Sequence, residues 1–240
     1  MNITDQVWRY DVIQNAAQIR NEAAMMCRRI EAMPETASLS RQDVVRLMMF
    51  FHDAAQHIID APLLLVWIAD LARASDIAAG RGIELEGVDF TETFLIATID
   101  AALAAQNALV AAESLGLGLG TVYIGALRNH PAEVARELGL PERSYAVFGL
   151  VVGHPDPAVA TAVKPRLPQE AVLHREQYST NAQREAIERH DRHALAFREE
   201  QGLSPQSWSD LVIDRLRTVA SLKGRHVLRD VLRGLGFAQK

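Results

Sequence analysis

A long, alanine-rich stretch near the middle of the chain reads Asp89-Phe-Thr-Glu-Thr-Phe-Leu-Ile-Ala-Thr-Ile-Asp-Ala-Ala-Leu-Ala-Ala-Gln-Asn-Ala-Leu-Val-Ala-Ala-Glu-Ser-Leu115. Asp89 followed by Glu92 resembles a capping box, which predicts a helix from about Phe90 to Leu115. At 1.5 Å per residue, about 25 residues make a rod of roughly 37 Å. Apolar side chains surround nearly the whole helix, a pattern typical of burial. Two interpretations follow: a core helix of a monomer, or a central helix that also packs against a second subunit.

Three apolar segments around this helix predict strands. Residues 62–69 and 145–152 are apolar without alternation, which is typical of strands covered on both faces. Residues 121–124 form a shorter candidate after Gly116-Leu-Gly-Leu-Gly120, whose glycines favour the end of the long helix. Strands among longer helices predict an α+β or α/β sheet domain with a helical C-terminal extension. The other predicted helices cover 10–33, 41–58, 131–139, 209–220 and 225–232.

Composition limits the classes of protein to consider. In the 240 residues, 25 Lys and Arg oppose 30 Asp and Glu, a net charge of −5 that argues against nucleic-acid binding. Charged or amide residues interrupt the apolar stretches before the ~20 residues that a membrane span requires, so we expect no transmembrane helix. The N-terminus does not resemble a signal peptide, and Cys27 is the only cysteine, so we expect a cytoplasmic protein.

The residues that often carry chemistry give little signal by themselves. The His52-Asp53/His57 and His190-Asp191-His193 groups do not match the spacing of zinc ligands, so no metal site is predicted. Gly116, Gly118 and Gly120 follow a helix rather than a strand, which is the wrong order for a dinucleotide-binding fingerprint.

Two short segments are compatible with a ligand. Gly125 follows the strand 121–124 and has no side chain, so a flat ligand could lie against the main chain, although the spacing alone favours an ordinary tight turn. In Lys164-Pro165-Arg166, proline stiffens a backbone that carries two cations suited to a phosphate, although any exposed basic pair has the same appearance.

Taken in order, several segments resemble the flavin reductase and oxygen-insensitive NADPH nitroreductase family of bacteria. The resemblance extends from about His57 to Lys240. The matching segments are Ala104-Ala-Gln-Asn-Ala-Leu-Val-Ala-Ala-Glu-Ser-Leu-Gly-Leu-Gly118, Val122-Tyr-Ile-Gly-Ala-Leu-Arg-Asn129, Phe148-Gly-Leu-Val-Val-Gly-His-Pro155, Lys164-Pro-Arg-Leu-Pro168, Gln177-Tyr178 and Ser207-Trp-Ser-Asp210.

The resemblance implies an α+β, nitroreductase-like three-layer sandwich with a central antiparallel or mixed sheet and a long buried central helix. It implies a core over residues 1–160, divergent over 1–56, and a C-terminal extension over 161–240 that wraps the core or the partner subunit. It also implies a homodimer with one FMN at each subunit interface and NADPH or NADH as electron donor. No protein residue acts as nucleophile, because the flavin carries the hydride.

The resemblance also assigns cofactor contacts by position. Ala126 replaces the usual second glycine and is acceptable if its φ angle is negative. The family's N-terminal His-Arg-Ser-x-Arg string has no counterpart, and Arg9 is the nearest substitute. The assigned positions are Tyr123, Ile124, Gly125 and Ala126 along the isoalloxazine, Lys164 and Arg166 at the FMN, Gln56 and Arg9 as further FMN contacts, and Arg225 at the phosphate of the nicotinamide cofactor.

Two functions remain open at this point. The first is an FMN-dependent NAD(P)H oxidoreductase that reduces a small planar acceptor, such as a nitroaromatic compound, a quinone or free flavin. The second is a flavin-free or flavin-poor dimeric binding or structural protein on the same scaffold. A yellow protein that releases FMN on denaturation would distinguish the first from the second.

Overall fold

The computed structural model describes residues 36–38, 61–159, 162–181 and 183–240. The helices predicted over 10–33 and 41–58, and the candidate site residues Arg9 and Gln56, lie outside these ranges. The chain divides into two compact units, one formed by the residues up to Asp156 together with Val227–Lys240, the other by Pro157–His226. The predicted wrapping of the 161–240 extension stays a prediction.

The described residues form four strands and seven α-helices. The strands are β1 (Thr36–Ser38), β2 (Leu63–Asp70), β3 (Gly120–Ile124) and β4 (Ser144–Gly153). The α-helices are α1 (Ala72–Ala79), α2 (Thr91–Ser114), α3 (Pro131–Glu137), α4 (Gln169–Val172), α5 (Gln183–Glu200), α6 (Trp208–Leu216) and α7 (Leu228–Gly234).

The sheet of the first unit is antiparallel, with strand order β1-β2-β4-β3. Along β2, Leu63, Leu65 and Trp67 face one core and the residues between them face another, because successive side chains of a strand point to opposite faces. We call these the α2-side core, which contains Ala101 and Ala105 of α2, and the α3-side core, which contains Leu127 and Val134. Both faces of β2 and β4 are therefore covered, as their unbroken apolar sequences predicted.

The register between β2 and β4 contains one irregularity. Trp67 pairs with Phe148, whereas Ile68 pairs with Ala146, so Val147 is an extra residue in β4. This β-bulge places the side chains of both Val147 and Phe148 on the α2-side core. Beyond the bulge the alternation continues in the shifted phase, and Gly149 faces the α3-side core.

The long helix α2 lies within a residue of its predicted bounds, but the predicted capping box is wrong. The residue before the helix is Phe90, and no side chain caps the first turn. Asp89 belongs to the preceding 3₁₀ turn, where its carboxylate accepts hydrogen bonds from Lys240 Nζ at 2.9 Å and Arg143 Nη2 at 3.4 Å. The carboxylate that the local sequence predicts to cap α2 is thus hydrogen-bonded by residues that are distant in sequence.

Within one chain, the fully buried residues of α2 are alanines, and Phe94 and Leu109 are partly buried against the same core. Ala101, Ala105 and Ala112 are buried, whereas the side chains of Ile99 and Leu103 are 54% and 61% exposed. By length and composition alone α2 is long and apolar enough to cross a membrane, and its few charges lie near its ends and at one central position. The alanine face nevertheless packs into the α2-side core, so α2 is an integral layer of the sheet unit.

The C-terminal segment is joined to the core around Arg143. The backbone N–H of Arg143 donates to Leu235 O at 2.6 Å, and its carbonyl oxygen accepts from the N–H of Leu71 at 2.8 Å. Arg143 has a φ angle of 63°, in the left-handed region. The backbone N–H of Lys240 donates to Asp89 O at 2.9 Å, so the chain end lies beside the start of α2.

The second unit is mainly helical. The buried ring of His190 on α5 meets the ring of Trp208 on α6 edge to face at 5.5 Å. Asp191 Oδ1 accepts a hydrogen bond from the backbone N–H of Ser209 at 2.8 Å, which satisfies a free donor at the start of α6. These contacts hold α5 and α6 together.

We predict that Asp89→Asn lowers the free energy of unfolding at neutral pH and leaves it unchanged in strong acid. The hydrogen bond from Lys240 holds the pKa of Asp89 below its ordinary value. A carboxylate with a depressed folded-state pKa stabilises the fold above its unfolded pKa, and this contribution disappears as the pH falls through the folded pKa. Urea unfolding across pH 2–7 measures the difference. Asp76→Asn, at an exposed side chain of α1, is the matched control and should lower the free energy of unfolding at neutral pH less than Asp89→Asn does.

We also predict that Gly149→Ala lowers the free energy of unfolding by about 1–3 kcal/mol, the usual cost of overpacking a core. A Cβ at Gly149 would lie 2.7 Å from Leu64 Cδ1 and 3.3 Å from Leu127 Cδ1. In the control Gly234→Ala the new Cβ meets nothing within 4 Å, so stability should be unchanged or slightly higher. Chemical denaturation measures both variants, and equal stabilities would contradict the packing argument.

Candidate functional site

The end of β3 and the turn after it hold four of the predicted site residues. β3 ends at Ile124 and continues directly into a 3₁₀ turn over Gly125–Asn129. Ile124 and Leu127 are buried in the α3-side core, and Gly125 and Ala126 between them are partly exposed. The two buried side chains therefore fix a short, accessible piece of backbone, which we call the 125–126 ledge.

Tyr123 lies next to this ledge in sequence, and its side chain is on the face of the sheet opposite the α3-side core. Its hydroxyl donates to Gln106 Oε1 on α2 at 3.3 Å, and its ring meets the Phe148 ring edge to face at 5.2 Å. Burial raises the pKa of Tyr123, so the phenol stays protonated at neutral pH and remains a hydrogen-bond donor. Its position depends on the bulge, because the bulge turns Phe148 towards the α2-side core.

Gly125 makes room for a side chain of its own turn. A Cβ at Gly125 would lie 3.3 Å from Nη2 of Arg128. In a 3₁₀ turn, residues i and i+3 lie one above the other, so the guanidinium of Arg128 passes across the glycine. Arg128 Nη1 donates a hydrogen bond to the carbonyl oxygen of Val147, the bulge residue. Both the flat-ligand and the tight-turn interpretations of Gly125 overlooked this arginine, although it stands in the quoted Val122–Asn129 segment.

Ala126 has a backbone conformation that alanine tolerates. It is absent from the described residues with positive φ, so its methyl group introduces no backbone strain. The methyl group packs against the α3-side core. The replacement of the second glycine therefore adds packing beneath the ledge.

The predicted cationic residues belong to the second unit. Lys164 and Arg166 are both exposed, in a segment without regular secondary structure that precedes α4. Arg225 is partly exposed and opens a 3₁₀ turn, Arg225–Val227. The structure thus brings together Tyr123–Ala126 in one unit and keeps Lys164 and Arg166 adjacent in the other.

A groove of about 660 Å³ lies elsewhere in the first unit, and none of the predicted cofactor residues lines it. It runs between α1 and the start of α2, beside the ion pairs of Asp89 with Arg143 and Lys240. Among the residues that the structure describes, no group of three or more His, Cys, Asp or Glu side chains is placed to hold a metal ion.

Sequence comparison matches both parts of the chain to one protein family. The model described as "Nitroreductase family" matches residues 2–154, and that described as "Nitroreductase family, C-terminal domain" matches residues 164–240. The chain is 37% identical over 177 residues to a Bacillus subtilis protein named FMN reductase (NADPH), covering 72% of this chain and 68% of that protein.

Solved structures agree over nearly the whole length. The hypothetical oxidoreductase YcnD from Bacillus subtilis superposes with a TM-score of 0.80 at 27% identity, covering 100% of both chains. The NADPH:FMN oxidoreductase from Vibrio harveyi, solved in complex with NAD+, gives a TM-score of 0.73 at 29% identity, covering 98% of this chain and 95% of that one. The predicted α+β fold is confirmed.

We predict that Ala126→Gly, which restores the glycine expected at this position, lowers the free energy of unfolding by about 0.5–1 kcal/mol. The φ angle already suits alanine, so glycine relieves no strain and removes a methyl group from the α3-side core. Thermal or chemical denaturation measures the change. A gain in stability would show that alanine is strained at the ledge.

Proposed function

Because the chain belongs to the nitroreductase family, we propose that it is an oxidoreductase that uses FMN to pass hydride from NADPH or NADH to a small acceptor. The relatives support this function through their names, FMN reductase (NADPH) and NADPH-flavin oxidoreductase. The observation that carries the proposal is the 125–126 ledge in a chain whose two parts both match the family.

The residues present fit a planar, anionic cofactor. The ledge carries no side chain at Gly125 and only a methyl group at Ala126, and that methyl group packs into the core. A flat ring system can therefore approach the main chain at Ala126, and at Gly125 the nearest side-chain atoms are those of the planar Arg128 guanidinium. The exposed cations Lys164 and Arg166 have the charge that a phosphate requires, the arginine as a two-nitrogen fork and the lysine as a compact charge.

In this proposal FMN supplies the hydride chemistry when bound, and the protein supplies position and electrostatics. The ledge holds the ring system by its main-chain atoms, with Tyr123 beside it as a protonated phenol. Lys164 and Arg166 contact the FMN, and Arg225 contacts the phosphate of the nicotinamide cofactor. Arg9 and Gln56 stay proposed FMN contacts outside the described residues. The 161–240 extension wraps the core or the partner subunit.

We also propose a homodimer that works in the cytoplasm on nitroaromatic compounds, quinones or free flavin. The exposed apolar side chains of α2 support the dimer, because Leu95, Ile99 and Leu103 are each about half exposed or more. Side chains of this size are usually covered when they form a stripe on one helix. The core-helix interpretation accounts for the alanines, Phe94 and Leu109 of α2, which pack against the α2-side core, but it does not account for this exposed stripe.

The decisive experiment is an anaerobic titration of the purified protein with FMN, followed by NADPH or NADH. We expect saturable binding, and then bleaching of the visible flavin absorbance on reduction. A protein that stays colourless in excess FMN would contradict the proposal and favour the flavin-free alternative. The nucleotide that bleaches the flavin faster identifies the preferred donor.

We predict that Lys164→Met and Arg166→Met each weaken FMN binding about tenfold or more. A charge-assisted contact contributes roughly 1.5–3 kcal/mol, and about 1.4 kcal/mol corresponds to tenfold in affinity. Arg184→Met, at an exposed arginine of the same unit, is the matched control and should leave the dissociation constant unchanged. If all three variants bind FMN as the wild type does, neither cation contacts the cofactor.

A further inference from the structure

Arg128 is a charged side chain next to the ledge that the proposed function leaves without a role. It stands three residues after Gly125 in the 3₁₀ turn and is partly buried. The neighbouring Leu127 is fully buried in the α3-side core, so the turn cannot slide along the sheet. The backbone that carries Arg128 is therefore held in place.

The carbonyl group that Arg128 binds belongs to the extra residue of the β-bulge. Val147 has no partner in the register with β2, and the pairing of β3 with β4 ends at Ile124 and Gly149. An unsatisfied buried polar group costs roughly 1–3 kcal/mol, so a donor that binds the Val147 carbonyl stabilises the strand at the bulge. Nη1 of Arg128 is that donor.

The same guanidinium also limits the position of the ledge. Its Nη2 lies 3.3 Å and its Cζ 3.9 Å from the place where a Cβ of Gly125 would stand. A side chain at position 125 would therefore press against a rigid, planar group that is itself hydrogen-bonded to β4. One side chain connects the ledge to the bulge that orients Phe148 towards Tyr123.

We propose that Arg128 is a positioning residue for the flavin. Arg128 holds the ledge against the β4 bulge, and this fixes the position of the main chain at 125–126 relative to the Tyr123–Phe148 pair. This inference rests on the proposed function. Arg128 acts through Gly125 and Val147, and its role is to hold their main-chain atoms in place. The expected consequence of its loss is a ledge that binds FMN more weakly and in an altered environment.

The test compares Arg128→Ala with Arg136→Ala, an exposed arginine on the adjacent helix α3. We expect Arg128→Ala to raise the FMN dissociation constant about tenfold or more and to change the visible circular dichroism of the bound flavin. Arg136→Ala should change neither. The circular dichroism reports the asymmetry around the ring, which a general loss of stability does not alter in the fraction that remains bound.

Arg128→Lys keeps the charge and most of the stem but loses the two-nitrogen fork, and it is the second variant if Arg128→Ala does not fold. We expect intermediate values in both measurements. A variant at Arg128 with wild-type affinity and an unchanged spectrum would overturn the positioning role and leave the proposed function intact. A wild-type protein that binds no FMN would overturn both.

A double-mutant cycle tests the contact itself. Gly125→Ala should weaken FMN binding in the wild-type background, because its Cβ would press on the guanidinium. In the Arg128→Ala background that obstacle is gone, so the same substitution should have a smaller effect on affinity. Strictly additive effects would show that Gly125 and Arg128 act independently, which would overturn the proposed link.

Discussion

Leu127 reaches the core because Gly149, on the neighbouring strand, carries no side chain. The space that a Cβ of Gly149 would occupy is filled by Leu127 and Leu64. With Leu127 fully buried, the 3₁₀ turn after β3 is held down against the sheet, and the 125–126 ledge is presented at its edge. The location of the proposed flavin contacts thus follows from a packing constraint inside the protein.

The β-bulge in β4 links this constraint to the other face of the sheet. Without an extra residue, Val147 and Phe148 would point to opposite faces, as neighbours in a regular strand do. With it, both point to the α2-side core, and Phe148 meets Tyr123. Val147 is the extra residue of the bulge, and Arg128 binds its carbonyl oxygen. One irregularity therefore accounts for both an aromatic contact and a buried hydrogen bond.

The sequence predicted those elements whose signal is local and apolar. Residues 62–69 and 145–152 were predicted within about a residue of β2 and β4, because unbroken apolar runs are typical of central strands. The helix α5 was missed, because its sequence is largely charged and has little apolar periodicity. Its i, i+4 ion pair between Glu185 and Arg189 was the available helical signal. The prediction that Asp89 caps α2 was wrong, because the carboxylate binds Lys240, which lies 151 residues away in the sequence.

The site was predictable only in part, for the same physical reason. The resemblance marked Tyr123–Ala126, but every residue of 145–152 is apolar or glycine, so the sequence gives no sign of where the alternation shifts. The pairing of Gly125 with Arg128 becomes visible only when the turn is known to be 3₁₀. Gln106, which binds the Tyr123 hydroxyl, lies on α2, the helix that exposes Ile99 and Leu103. A second subunit packed on α2 would therefore cover side chains on the helix that holds Tyr123, so that assembly and the proposed cofactor site depend on one helix.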